Sequence, residues 1–86
     1  MKAFKCYSDP QHGWVAVKRK LLIELGILDK ITWHSYQRGQ TVYLEEDKDA
    51  GTFIEAYMNR FGSKPALKES WTERTPIRSY EHFRKD

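Results

Sequence analysis

Ile31-Thr32-Trp33-His34-Ser35-Tyr36-Gln37-Arg38-Gly39-Gln40-Thr41-Val42-Tyr43-Leu44-Glu45 is the stretch on which the fold turns. Residues 31–36 and 41–45 alternate in the two-residue period of a strand with one buried face. Gln37 to Gln40 between them has the composition of a turn, so the stretch predicts a β-hairpin. A two-residue register pairs His34 with Tyr43 and Trp33 with Leu44, and a bulge at Gly39 would shift it.

Downstream, Asp47 or Asp49 is placed to cap a helix, accepting its first N–H groups and matching its dipole. Phe53, Ile54, Tyr57, Met58 and Phe61 then form one 3.6-residue stripe, and Gly62 ends it. A last strand is expected over 66–72. Beyond it runs a charged, aromatic tail from Glu73, where Pro76 opposes further strand. Upstream, residues 3–8 alternate as a first strand and Asp9-Pro10-Gln11-His12-Gly13 reads as a turn. Trp14 to Val17 is a second strand or the approach to a helix. Leu21, Leu22 and Leu25 set a helix over about 18–26, with Gly26 at its C-terminal cap and Ile27 as the capping hydrophobic contact.

This order, β(β)αββαβ, predicts an α+β domain: a small antiparallel sheet with two helices on one face, ferredoxin-like. Ile31, Trp33, Val42 and Leu44 are expected to face the helices. Thr32, His34, Tyr36, Thr41, Tyr43 and Glu45 are expected on an open outer face, joined by Lys5 and Tyr7.

With 86 residues, one core is all the chain can build. Cys6 is the single cysteine, which excludes an intramolecular disulfide and any zinc site needing two cysteines. Lys2 and Lys5 interrupt the opening residues, so no signal peptide is expected, and the longest apolar run, Trp14 to Val17, cannot span a membrane. A reducing cytosol is the expected location. The formal charge of +3 permits an anionic partner without requiring one.

Ser8-Asp9-Pro10-Gln11-His12-Gly13-Trp14-Val15-Ala16-Val17 resembles the opening of a family of short uncharacterised bacteriophage and plasmid proteins. The similarity continues through Asp29-Lys30-Ile31, Tyr36-Gln37-Arg38-Gly39 and Val42-Tyr43-Leu44-Glu45-Glu46-Asp47 to Pro76-Ile77-Arg78-Ser79-Tyr80. Gln11 and Lys18 stand where relatives often carry Gly and Pro. The resemblance implies a setting, host takeover or counter-defence, and no particular activity.

Two constellations bear on catalysis or metal binding. Asp9 and His12 could form an acid–base dyad, with Arg38, Arg74 or His82 as a third member, yet Asp-Pro before a Gly is also ordinary turn chemistry. Glu45, Glu46, Asp47 and Asp49 could attract a hard cation, but alternation sends the two glutamates to opposite faces. No phosphate-binding glycine loop and no zinc signature occurs, so neither an enzyme nor a cofactor is expected.

Binding fits better. Tyr7, His34, Tyr36 and Tyr43 offer flat rings for stacking bases, with Lys5, Arg38 and Lys68 near phosphates. Arg74 and Arg78 flank Pro76 and could clamp a phosphate. Ile77 and Tyr80 are expected to dock the tail on the body, which would place both arginines near the sheet surface or the Asp9–His12 turn, so the two readings are compatible. The expected ligand is a nucleotide or single-stranded nucleic acid, met by Tyr7, His12, His34, Tyr36, Arg38, Tyr43, Arg74 and Arg78. The alternative is a protein-binding inhibitor of a host enzyme or defence complex, using the aromatic face or the acidic 45–49 segment. The same rings could serve a homodimer.

Overall fold

The structure, a computed structural model, describes residues 3–85. Strands β1 (Ala3–Ser8) and β2 (Gly13–Lys18) lead into helix α1 (Arg19–Glu24). Then come β3 (Tyr36–Arg38), β4 (Thr41–Glu45), α2 (Asp49–Phe61), β5 (Ala66–Trp71) and β6 (Glu81–His82). Short 3₁₀ turns cover Leu28–Lys30 and Pro76–Ser79. None of the described helices is long and apolar enough to cross a membrane.

The α+β class and the two helices are as expected, but the sheet is mixed. Its order is β5-β1-β2-β4-β3-β6, with β1 parallel to β5 and the other pairs antiparallel. The departure from a ferredoxin-like order is specific. Strand β1 is wedged between β5 and β2, and the C-terminal segment adds β6 at the far edge.

Glycines punctuate the elements where the sequence placed them. The α1 end is a Schellman motif: Gly26 at φ 72° donates its N–H to Ile23 O at 3.0 Å, and Ile27 donates to Leu22 O at 3.0 Å. Ile27 and Leu22 are both buried, which is the hydrophobic contact that accompanies such a cap. Gly39 at φ 60° takes the first position of a two-residue hairpin loop, a conformation that L side chains rarely adopt.

The core fills the space between the sheet and the helices, with Val15, Val17, Leu22, Ile31, Val42, Leu44, Phe53 and Phe83 among its members. Phe4 and Tyr57 pack edge-on against it, their ring centroids 5.2 and 5.8 Å from Phe53. The expected α2 stripe divides along its length. Phe53 is fully buried, whereas Phe61 is 48% exposed at the rim.

Three sequence expectations are corrected here. The hairpin is displaced: Tyr36, not His34, pairs with Tyr43, and Trp33 and His34 lie in a turn before β3. Trp33, expected to face the helices, is 63% exposed. The reason is Asp49. Neither it nor Asp47 caps α2, since the capping position is Lys48. Asp49 is buried, and its Oδ2 accepts from Thr32 N at 3.0 Å, Thr32 Oγ1 at 2.8 Å and Ser35 Oγ at 2.5 Å. Ser35 Oγ in turn accepts from Glu45 N at 3.0 Å. Holding Thr32 and Ser35 to one carboxylate bends residues 32–35 out of the strand path.

Candidate functional site

Strand alternation sends Val15 and Val17 of β2 into the core and therefore turns Trp14, Ala16 and Lys18 to the outer face. The pairings Tyr7↔Trp14, Ala16↔Tyr43 and Tyr36↔Tyr43 bring the expected Tyr7, Tyr36 and Tyr43 to that same face. The face is not open as expected. The segment from Thr75 to Tyr80 crosses it, burying Ile77 and leaving Trp14 only 2% exposed.

An ionic clasp holds this strap. The Asp9 side chain is 2% exposed and receives Arg78 bidentately, Nη2 to Oδ1 at 2.9 Å and Nε to Oδ2 at 3.1 Å. Gln11 N and His12 N also donate to Oδ1, at 3.0 and 2.9 Å, and Thr75 Oγ1 reaches Oδ2 at 3.4 Å. The Arg78 hydrogen bonds, reinforced by the two backbone donors, outweigh burial and hold the Asp9 carboxyl well below the usual carboxylate range. Arg78 Nη1 is engaged with Gln11 Oε1 at 3.0 Å. Arg78 is thus spent on the strap. What meets the Asp9 carboxylate from residue 12 is its backbone N–H, while the His12 ring lies 5.9 Å from Trp14. Arg74 and Arg78 together line a depression with Thr75, Pro76 and Ser79.

Two rows of rings result. One contains all three histidines: His34–Trp33 at 4.2 Å, Trp33–His82 at 5.3 Å, His82–Tyr36 at 4.5 Å, Tyr36–Trp14 at 6.3 Å and Trp14–His12 at 5.9 Å. The other runs Tyr7–Tyr43 at 6.2 Å and Tyr43–Tyr80 at 5.2 Å. Arg38 lies over the Tyr80 ring at 5.1 Å, its Nη1 3.3 Å from the Tyr80 hydroxyl. Burial, followed by the neighbouring Tyr80 and Tyr7, pushes the Tyr43 hydroxyl pKa up, so Tyr43 is a neutral hydrogen-bonding group at physiological pH.

Beside the second row the sheet forks. The β1–β2 ladder runs from Ser8↔Gly13 to Cys6↔Val15 and stops. Strand β1 continues back to Ala3 along β5, and β2 continues out to Lys18 along β4. A cavity of about 630 Å³ occupies the fork. Tyr7, Ala16 and Tyr43 line it from the outer face, and Phe4, Leu21, Tyr57 and Phe61 from the helix side. Lys5, Lys18, Lys20 and Glu24 bring its charges, and Lys18 Nζ is steadied by Thr41 Oγ1 at 3.3 Å.

Of the expected site residues, Tyr7 and Tyr43 meet at this cavity, and Arg38 stands behind them on Tyr80. Tyr36, His34 and His12 belong to the other ring row, and Arg74 and Arg78 to the strap. Lys18, Lys20 and Trp14 were missed, while His82 was weighed only as a third partner of Asp9 and His12, and Tyr80 only as a residue docking the tail. Trp14 was detectable, because in Trp14-Val15-Ala16-Val17 its alternation sets it opposite Val15 and Val17. Tyr80 and His82 carried no periodic signal.

The acidic segment offers no metal centre. Glu45 accepts from Asp47 N and Lys48 N, Asp49 is buried on Thr32 and Ser35, and among the described residues no three His, Cys, Asp or Glu are grouped to hold an ion. Burial, then Glu69 and Glu46, raises the Cys6 thiol pKa, which disfavours the thiolate. Comparison with protein-family models, with curated proteins and with solved structures finds no match to this chain.

Proposed function

We propose that the protein is a non-enzymatic binding protein for a nucleotide or single-stranded nucleic acid, acting in a bacterial host in takeover or counter-defence. One observation carries the ligand class: the fork cavity sets two tyrosine rings, Tyr7 and Tyr43, beside three lysines, Lys5, Lys18 and Lys20. Rings stack on bases and ammonium groups attract phosphates, so the pairing suits a ligand with both. The volume lies within the roughly 300–1,000 Å³ usual for small-molecule sites. The phage setting follows the sequence resemblance.

Calorimetric titration with nucleotides and short oligonucleotides, at several salt concentrations, tests this. Binding should be measurable in low salt and weaken as salt rises. Tyr43→Ala should cost about 1–3 kcal/mol of binding and leave the salt dependence nearly unchanged. Absence of binding better than millimolar in low salt would end the proposal.

A second reading rests on Trp33. It is 63% exposed, stacked on His34 and edge-on to His82, and exposed Trp is a frequent protein-contact anchor. This would serve a host protein or a second copy of the chain. Salt separates the two: an aromatic protein contact should be nearly indifferent to it.

A further inference from the structure

We infer that the ligand of the fork is a single nucleoside monophosphate and not a strand, an inference that rests on the nucleotide reading above. A strand without sequence preference needs successive rings along an open, basic track. Here the track ends after one place. Beyond Tyr43, Tyr80 stands 5.2 Å away with Arg38 over it, and the strap leading to it buries Ile77 and Trp14. Tyr36, which the β3–β4 register sets next to Tyr43, is stacked on His82 at 4.5 Å and an interplanar angle of 27°. A second base would find that ring face taken.

The opposite side is walled by helix residues, since Leu21 and Glu24 of α1 and Tyr57 and Phe61 of α2 form part of the lining. Its polar groups suit one terminal phosphate. Three lysines against one glutamate leave a formal net charge of +2, and a phosphate monoester carries about −1.5 to −2 at pH 7. A base in the recess would meet the Tyr7 and Tyr43 rings, with the phosphate at the lysines.

The test is titration of the full chain with AMP, GMP, CMP and UMP, with the matching nucleosides, with inorganic phosphate, and with a short 5′-phosphorylated single strand. At least one monophosphate should bind, while its nucleoside and inorganic phosphate should each bind at least about tenfold more weakly. The strand should bind no tighter than the monophosphate and show no steeper salt dependence. Lys18→Gln and Lys20→Gln should each weaken monophosphate binding roughly tenfold. Lys48→Gln, at the far end of α2, should change nothing.

A strand that binds about tenfold tighter, with a salt slope growing by roughly 0.7 per added phosphate contact, overturns the inference and leaves the nucleic-acid reading standing. Inorganic phosphate binding as tightly as every monophosphate also overturns it, because the rings would then contribute nothing. Failure of monophosphates and strand alike removes both the inference and the reading beneath it.

Discussion

The two faces of the sheet exclude water with different materials. On the helix side Val15, Val17, Val42, Leu44 and Phe53 do so through apolar packing. On the outer side Trp14 and Ile77 are buried just as deeply, but the cover is a strap fastened by Arg78 to the Asp9 carboxylate. Apolar packing is nearly indifferent to pH and strengthened by few partners in particular. An ionic clasp is specific and depends on a proton. The difference teaches that this small domain has one stability-bearing face and one adjustable face, with the fork cavity opening at their common end.

The largest expected effect belongs to the helix side. Phe53 is fully buried and meets Phe4 and Tyr57 edge-on, so Phe53→Ala should cost about 3–5 kcal/mol. Against a total stability on the order of 5–15 kcal/mol, that threatens folding itself. Phe61→Ala, eight residues along the same helix and half-exposed, should cost far less. Urea unfolding of both variants checks the contrast, and equal losses would mean that α2 is packed differently from this description.

The clasp gives the next effect. Because the folded-state pKa of Asp9 is depressed, its contribution is fully present above the unfolded carboxylate value of about 3.9 and is lost as pH falls from there toward the folded value. Arg78 is shifted upward from an already very high value, so it adds no pH dependence near neutrality. Thermal melts from pH 7 downward should therefore show a steep fall below about pH 4. Arg78→Ala should melt several degrees lower at pH 7 and show a shallower acid fall. If the variant keeps the wild-type acid profile, another carboxylate governs it and the contrast between the faces weakens.

Local periodicity explains what was legible in the sequence. Strands β1 and β5, helix α2 and the Gly26 cap are set by neighbours in the chain, and they stand where the residue pattern placed them. The misreadings trace to buried polar contacts between distant residues. Ile31 to Tyr36 alternates like a strand, yet Asp49, 17 residues beyond Thr32, bends it into a turn. Asp9 reads as a turn residue and is one, but its other partner, Arg78, lies 69 positions on. No period reveals such a pairing: docking of the tail through Ile77 and Tyr80 was expected from its composition, yet the outer face was still expected open. The same holds for the cavity: Lys18 and Lys20 become site residues only because the β1–β2 ladder stops at Cys6.

The smallest expected effect is at His12, and it tests whether the turn beneath the strap works through backbone or side chain. The Asp9 carboxylate accepts His12 N at 2.9 Å, and Asp9 N donates to His12 O at 2.9 Å, so both bonds survive removal of the imidazole. The ring itself is exposed and lies 5.9 Å from Trp14 in a tilted arrangement, worth little beyond its own contact area. His12→Ala should therefore change stability by no more than about 0.5 kcal/mol, the range of ordinary surface substitutions. Ligand binding should stay within a few-fold of wild type. His12→Pro makes the complementary change, since proline has no N–H to give Asp9, and it should lower the melting temperature toward that of Arg78→Ala. Were His12→Ala to destabilise as much as Arg78→Ala, the ring row and not the clasp would hold the outer face. Were it instead to abolish a measurable turnover by the roughly 10²–10⁴-fold that loss of a general acid or base produces, the turn would be a catalytic element and the binding-protein proposal would fall.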